Sequence, residues 1–250
     1  MPAASVPALI LRGFAYGDTS RILRLLTPDH GVVGAIARGA RRPRSRFAAL
    51  LDPFGEGVAV LDYREGRELQ TLVAFDLSRA RRGIARDMRR YGAASLLAEL
   101  LMRTATGSAS AEIHACATEG LDALEGATGE AIEPAGLTAA WRLVERLGFA
   151  PELGTCAVCG RDLAGADEAL FDYAAGGVRC DGCPGGEGAR LPPHARAAIV
   201  AMVDGVRPAI ERTYGHWVVL ERFLAFHVLD GKPLKSLPFL LDVRRVAPAP

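Results

Sequence analysis

Over the first 76 positions hydrophobic and polar residues alternate in short bursts, and beyond them the period lengthens to that of helices. Residues 6–14, 21–28 and 31–38 are β-rich runs separated by Tyr16-Gly17-Asp18 and Pro28-Asp29-His30-Gly31, both turn-forming sequences. Gly57–Tyr63 and Glu68–Asp76 flank Arg64-Glu65-Gly66-Arg67, and Leu69, Thr71, Val73 and Phe75 alternate as one face of a half-buried hairpin strand. Five short strands in this length predict an OB-fold barrel, and an SH3-like barrel satisfies the same count. From residue 78 onward Ile84, Met88, Tyr91, Leu97, Leu100 and Leu101 recur at helical spacing, with Ser78 as the expected N-cap. Ser110–Leu124 forms a second helical pattern. Leu137, Ala140, Trp141, Val144 and Leu147 mark a third, ended by Gly148 with Pro151 just beyond. Pro192–Val203 and His216–Leu229 are two more, the last carrying Trp217, Leu220, Leu224, His227 and Val228 on one face.

The pattern therefore predicts an α+β chain: an N-terminal five-stranded OB-fold barrel over residues 1–77, then an α-helical domain over 78–250. Cysteines interrupt the helical part. Cys156-Ala-Val-Cys159 is followed after twenty residues by Cys180-Asp-Gly-Cys183. Each Cys-x-x-Cys points two thiolates at one centre, and two such knuckles close a tetrahedral four-sulfur shell suited to zinc. A redox dithiol is the alternative, and the second matching pair argues against it. With four protein ligands the expected Zn2+, one per chain, is structural, and residues 152–188 are expected to form a zinc ribbon inserted into the helical domain. Cys116, alone on a helix face, is expected to be a small buried side chain.

Composition is globular, with half the residues hydrophobic. The net charge of +1 conceals an asymmetry: residues 1–90 hold 16 arginines against 9 acidic groups, and the remainder is acidic. Arg38, Arg41, Arg42, Arg44 and Arg46 fall within nine residues that contain no carboxylate. Guanidinium groups keep their charge and grip phosphate oxygens bidentately, so the cluster is a candidate footprint for a nucleic-acid backbone. A solvated basic loop is the plain alternative. Arg81, Arg82 and Arg86, with Arg79, Arg89 and Arg90, are expected on the first half of the next helix, either extending that surface or lining a solvated face. Phe14, Tyr16 and Phe47 are candidate stacking aromatics, although barrel core or a loop hinge accounts for each. No segment approaches the length of a membrane span, and the N-terminal apolar run Ala8–Leu11 is too short for a signal peptide. The expected location is cytoplasmic.

Taken together, the order and spacing of several segments resemble the RecO family of bacterial DNA repair and recombination mediators. These are Tyr16-Gly-Asp-Thr-Ser20, Leu26-Thr-Pro-Asp-His-Gly31, the Ala37-Arg-Gly-Ala-Arg41 turn with Ser45 and Leu50–Phe54, Leu97-Ala-Glu-Leu-Leu101, Leu147–Leu153 running into Cys156, and His227–Phe239. Arg38 departs from the family's frequent lysine while keeping its charge. The resemblance implies an OB domain, a helical domain with a zinc ribbon, and binding of single- and double-stranded DNA. It further implies annealing of complementary strands and work with RecR and the single-strand-binding protein to load RecA at gaps. Neither a phosphate-cradling Gly-rich loop ending in Lys-Ser/Thr nor a His-Glu-x-x-His site occurs, so a non-enzymatic protein is expected. The alternatives are a zinc-ribbon nuclease and an adaptor that touches only proteins; Asp162, Asp167 and Glu168, together on the expected ribbon loop, are better read as solvated loop charge.

Overall fold

In the computed structural model, which describes residues 4–105, 107, 110–163, 168–229 and 231–240, the first five strands lie where the alternation places them. β1 (Ala4–Tyr16), β2 (Ser20–Thr27), β3 (Gly31–Ala37), β4 (Glu56–Asp62) and β5 (Leu69–Arg79) close into a barrel in the order β1-β2-β3-β5-β4. Every pairing is antiparallel except β3 with β5, which run parallel. This is the OB-fold barrel. Val6, Ala8 and Ile10 of β1, Leu23 and Leu25 of β2, Ala35 and Ala37 of β3, Ala59 and Leu61 of β4, and Leu72 and Phe75 of β5 fill its interior.

The parity of β1 changes partway along. Ile10 pairs with Leu25, but the next pairs are Arg12 with Arg24 and Gly13 with Leu23, so Leu11 is an extra residue in a β-bulge. Before the bulge the even residues point inward. After it they point outward, and Arg12, Phe14 and Tyr16 leave the face that Val6, Ala8 and Ile10 occupy. Only Ala4–Leu9 of β1 pairs with β4, so the far half of β1 is held by β2 alone.

Two helices complete the first compact unit, which runs to Gly126. The expected boundary at residue 77 falls inside β5, and Ser78 is not a helix cap: it lies in the strand, and its hydroxyl donates to the Glu56 carbonyl. α1 (Met88–Thr104) instead starts at Asp87, whose carboxylate accepts from the N–H groups of Arg89 at 2.8 Å and Arg90 at 3.2 Å. The basic residues 79–86 thus precede the helix, in a connector that includes a single turn of 3-10 helix at Ile84–Arg86. α2 (Ala111–Gly126) begins as expected, with the Ser110 hydroxyl accepting from the Ile113 N–H.

Arg81 ties this unit together. Its backbone is left-handed at φ +42° and its side chain is wholly buried. The guanidinium reaches Glu56 at 2.5 Å, Asp122 of α2 at 2.6 Å and the Phe54 carbonyl at 3.0 Å. A left-handed conformation is costly for a side-chain-bearing residue and persists only where the surroundings over-determine it.

The second unit comprises residues 127–240 of the described chain. α3 (Ile132–Arg146) is buried along most of its length, and Trp141 packs on Phe223 of α5 (Tyr214–His227), which meets Phe171 in turn. As the sequence indicates, α3 ends at Gly148, at φ +88°, where the N–H groups of Gly148 and Phe149 return to the carbonyls of Glu145 and Val144. β6 (Ala169–Asp172), β7 (Gly177–Arg179) and β8 (Gly188–Leu191) form a small sheet in the order β7-β6-β8, followed by α4 (Pro193–Val203). No described helix is long and apolar enough to cross a membrane.

Two outcomes are expected in chemical denaturation of the full chain. Arg81→Ala leaves Glu56 without its ion-pair partner and Asp122 with Arg79 alone, and lowers stability by about 3 kcal/mol. Asp87→Ala removes a cap worth about 1 kcal/mol. Burial raises the Asp87 pKa, but hydrogen bonds from the Arg89 side chain and from the N–H groups of Arg90 and Arg89 outweigh it, leaving a net lowering. A lowered folded-state value means the cap's contribution is present above the ordinary carboxylate pKa of about 3.9 and is lost as the pH falls through the folded value. The difference between wild type and Asp87→Ala should therefore shrink in acid.

Candidate nucleic-acid interface and metal centre

Residues 38–55 join β3 to β4 as a run of tight turns, with N–H groups of Arg42, Ser45, Ala48 and Leu50 each bonded to the carbonyl three residues back. The loop is plugged into the barrel by Phe47 and Leu51, both nearly inaccessible. Phe47 is thus core, as the simpler reading has it, and is not a stacking platform. At the near end the Arg41 N–H bonds to the Thr19 carbonyl at 2.8 Å, and the Arg41 guanidinium bonds to the Gly17 carbonyl at 3.2 Å. At the far end the Phe54 N–H and the Gly55 carbonyl pair with Ile10 at 2.7 and 2.8 Å.

With the apolar residues pointing in, the charges point out. Arg38, Arg41, Arg42, Arg44 and Arg46 are all exposed, and Arg46 lies 5.0 Å over the Phe47 ring. Among the described residues none of the five has a carboxylate within 4 Å, in contrast to Arg79, Arg81 and Arg89, which are all in ion pairs. Such a loop presents fixed positive charge that no internal group neutralises. Arg82 and Arg86 are exposed as well, on the connector to α1. Arg81 departs from its expected role: buried and bound to Glu56 and Asp122, it cannot reach a phosphate.

Four cysteines of the second unit form the other candidate centre. The sulfurs of Cys156, Cys159, Cys180 and Cys183 all lie within 4.8 Å of one another, with Cys156–Cys183 at 3.9 Å and both Cys159–Cys180 and Cys180–Cys183 at 3.7 Å. A tetrahedron with metal–sulfur bonds of ~2.3 Å has sulfur–sulfur edges of about 3.8 Å, so the arrangement fits a four-coordinate thiophilic ion. The Cys180 N–H, 3.4 Å from the Cys156 sulfur, is the main cause drawing that thiol down to about 6. Hydrogen bonding with the thiols of Cys159 and Cys180 pushes Cys183 up to about 12. Four sulfurs this close cannot all ionise unless a cation sits among them.

A buried ion pair frames the second knuckle. Arg179 binds Asp172 at 2.6 Å and donates to the Pro184 carbonyl, while Asp172 also accepts from the N–H groups of Ala174 and Ala175. Gly186, at φ +96°, leaves room for it: a Cβ there would lie 2.8 Å from the Asp172 carboxylate. This frame carries no signal in the sequence beyond the glycines. Of the carboxylates near the ribbon, Glu168 pairs with Arg190 at 3.4 Å, Asp162 lies in a bridge with Thr155, and Asp167 lies outside the described residues. Among the described residues the four cysteines are the group that could hold a metal. A cleft of about 550 Å³ in the same unit is lined by Phe149, Glu152, Cys156, Phe223 and His227. Its polar groups are engaged locally: Glu152 accepts from the N–H groups of Gly154 and Thr155, and His227 meets the Tyr173 carbonyl at 2.7 Å.

Sequence comparison bears on both units. The family profile described as "Recombination protein O N terminal" matches residues 1–81, and "Recombination protein O C terminal" matches residues 85–238. The chain is similar to the DNA repair protein RecO of Rubrobacter xylanophilus, 39% identical over 178 residues that span 70% of this chain and 69% of that protein. It is also similar to the DNA repair protein RecO of an Anaeromyxobacter species, 31% identical over 246 residues and 94% of each chain. To the DNA repair protein RecO of Bifidobacterium adolescentis it is 34% identical over 211 residues.

Since thiols must lose protons to bind an ion, and ion binding is then folding free energy, removal of the metal should be felt locally. A strong chelator, or Ser in place of any of the four cysteines, is expected to abolish hydrogen-exchange protection in β6, β7 and β8 while leaving β1–β5 protected. Retention of ribbon protection in a metal-free protein would contradict this.

Proposed function

The chain belongs to the RecO family of DNA repair proteins, and from that premise we propose that it is a non-enzymatic recombination mediator whose OB barrel holds DNA by its phosphates. The observation that carries the reading is the β3–β4 loop: five exposed arginines without a carboxylate partner, on a segment anchored by its own Phe47 and Leu51. Phosphate contacts of this kind neutralise the backbone and release counterions without reading sequence. Both single- and double-stranded DNA satisfy them. Arg82 and Arg86 extend the same basic surface.

Binding of two complementary strands raises their local concentration and screens their repulsion, so annealing follows without nucleotide hydrolysis. The ion held by Cys156, Cys159, Cys180 and Cys183 is Zn2+, one per chain, in a structural role, because four thiolates leave no open position for chemistry. In this reading the second unit recruits the protein partners, RecR and the single-strand-binding protein, through which RecA reaches gaps in the cytoplasmic nucleoid.

Fluorescence titration of labelled oligonucleotides over a range of salt tests the proposal. Neutralising Arg41, Arg42, Arg44 and Arg46 together should flatten the slope of log K against log salt by up to about 0.7 per lost contact on single strands. The loss should be the same for unrelated sequences. A wild-type protein whose binding does not respond to salt would favour the adaptor reading instead.

A further inference from the structure

The outward-facing half of β1 carries more than charge. Register places Arg12 opposite Arg24, Phe14 opposite Ile22, and Tyr16 opposite Ser20, and Ile22 is opposite Ile36 on β3. Leu23, Leu25, Ala35 and Ala37 point into the core, so their even-numbered neighbours share the outer surface with Arg12, Phe14 and Tyr16. The result is an apolar row, Phe14–Ile22–Ile36, crossing three strands. Arg12 and Arg24 flank it on one side. On the other lie Tyr16 and the hairpin end Gly17–Thr19, to which Arg41 is bonded.

Each part of this surface is costly unless something covers it. Phe14 and Tyr16 are 43% and 54% exposed. Like charges directly opposite on paired strands repel, yet Arg12 and Arg24 face each other, and among the described residues neither has a carboxylate partner. Arg24 also lies across the bare backbone of Gly34, where a Cβ would come 3.0 Å from its Nη1. A polyanion with flat apolar groups answers both needs, its phosphates between the arginines and its bases on the rings. In duplex DNA the base faces are already stacked on one another, and only a single strand can offer them.

We infer that the outer face of β1 and β2 is a single-strand site in which bases stack on Phe14 and Tyr16 while Arg12 and Arg24 hold the flanking phosphates. This deepens the DNA-binding reading and rests on it. The β3–β4 loop then serves single strands and duplexes alike, and the aromatic face distinguishes between them.

The test compares a labelled oligo-dT strand with a duplex of equal length, for wild type, Phe14→Ala/Tyr16→Ala, and the variant neutralised at Arg41, Arg42, Arg44 and Arg46. Loss of the two rings should weaken single-strand binding by about fivefold or more per ring, with the duplex affinity and both salt slopes unchanged. The loop variant should instead lose salt slope on both ligands. A Tyr16→Trp variant should bind as well as wild type and lose indole fluorescence on adding oligo-dT, a signal that the buried Trp141 and Trp217 do not give. Equal losses on both ligands, or an unchanged single-strand affinity with an unquenched Trp, would overturn the stacking site while leaving loop binding intact. Absence of salt-sensitive binding in wild type would overturn both.

Discussion

The chain between β3 and β4 must cross the mouth of a closed barrel, and it does so by burying Phe47 and Leu51 in the barrel's own core. That constraint decides where the arginines go. With two apolar side chains pointing in and Arg41 bonded to the β1–β2 turn, the guanidinium groups of residues 38–46 are held outward on a segment of limited freedom. A freely moving basic tail would lose more entropy on binding a polyanion than a loop held in this way would. The arginines that follow β5 have a different task. Arg81, sealed between Glu56 and Asp122, joins barrel to helix, and charge of the same type is buried and paired in one segment and exposed, without a carboxylate partner among the described residues, in another.

In the second unit the comparable constraint is the close approach of four sulfurs. A three-stranded sheet with strands of four, three and four residues is too small to supply a core of its own. Four cysteines that could hold an ion at the knuckles, and the Asp172–Arg179 pair at the second loop, stand where that core would be. The barrel and the cysteine group belong to different compact units, each with its own buried residues.

Much of this was legible in the sequence, for physical reasons that differ by element. Alternation located all five strands because each has one face in a barrel core, and Gly148 marked the end of α3 because few other residues accept its backbone conformation. The cysteine spacing located the metal centre because coordination geometry is local. What could not be read depends on pairing across the fold. The pattern puts the start of the first helix at Ser78 and the structure puts it at Asp87, because β5 extends to Arg79, a length set by its partner β4. The side chain of Arg81 reads as one more cation until Glu56 and Asp122 are seen around it. Phe14 and Tyr16 share the even parity of Ala8 and Ile10, and only the bulge at Leu11, defined by the register with β2, turns them to solvent.

The central claim is that this protein acts on DNA by binding alone, using fixed positive charge and no nucleotide. The most direct measurement is the rate at which two complementary oligonucleotides, each coated with single-strand-binding protein, form duplex on addition of this protein. The account predicts acceleration of equal size with and without ATP, lost when the four loop arginines are neutralised. Acceleration only in the presence of ATP, or none at all, would contradict it.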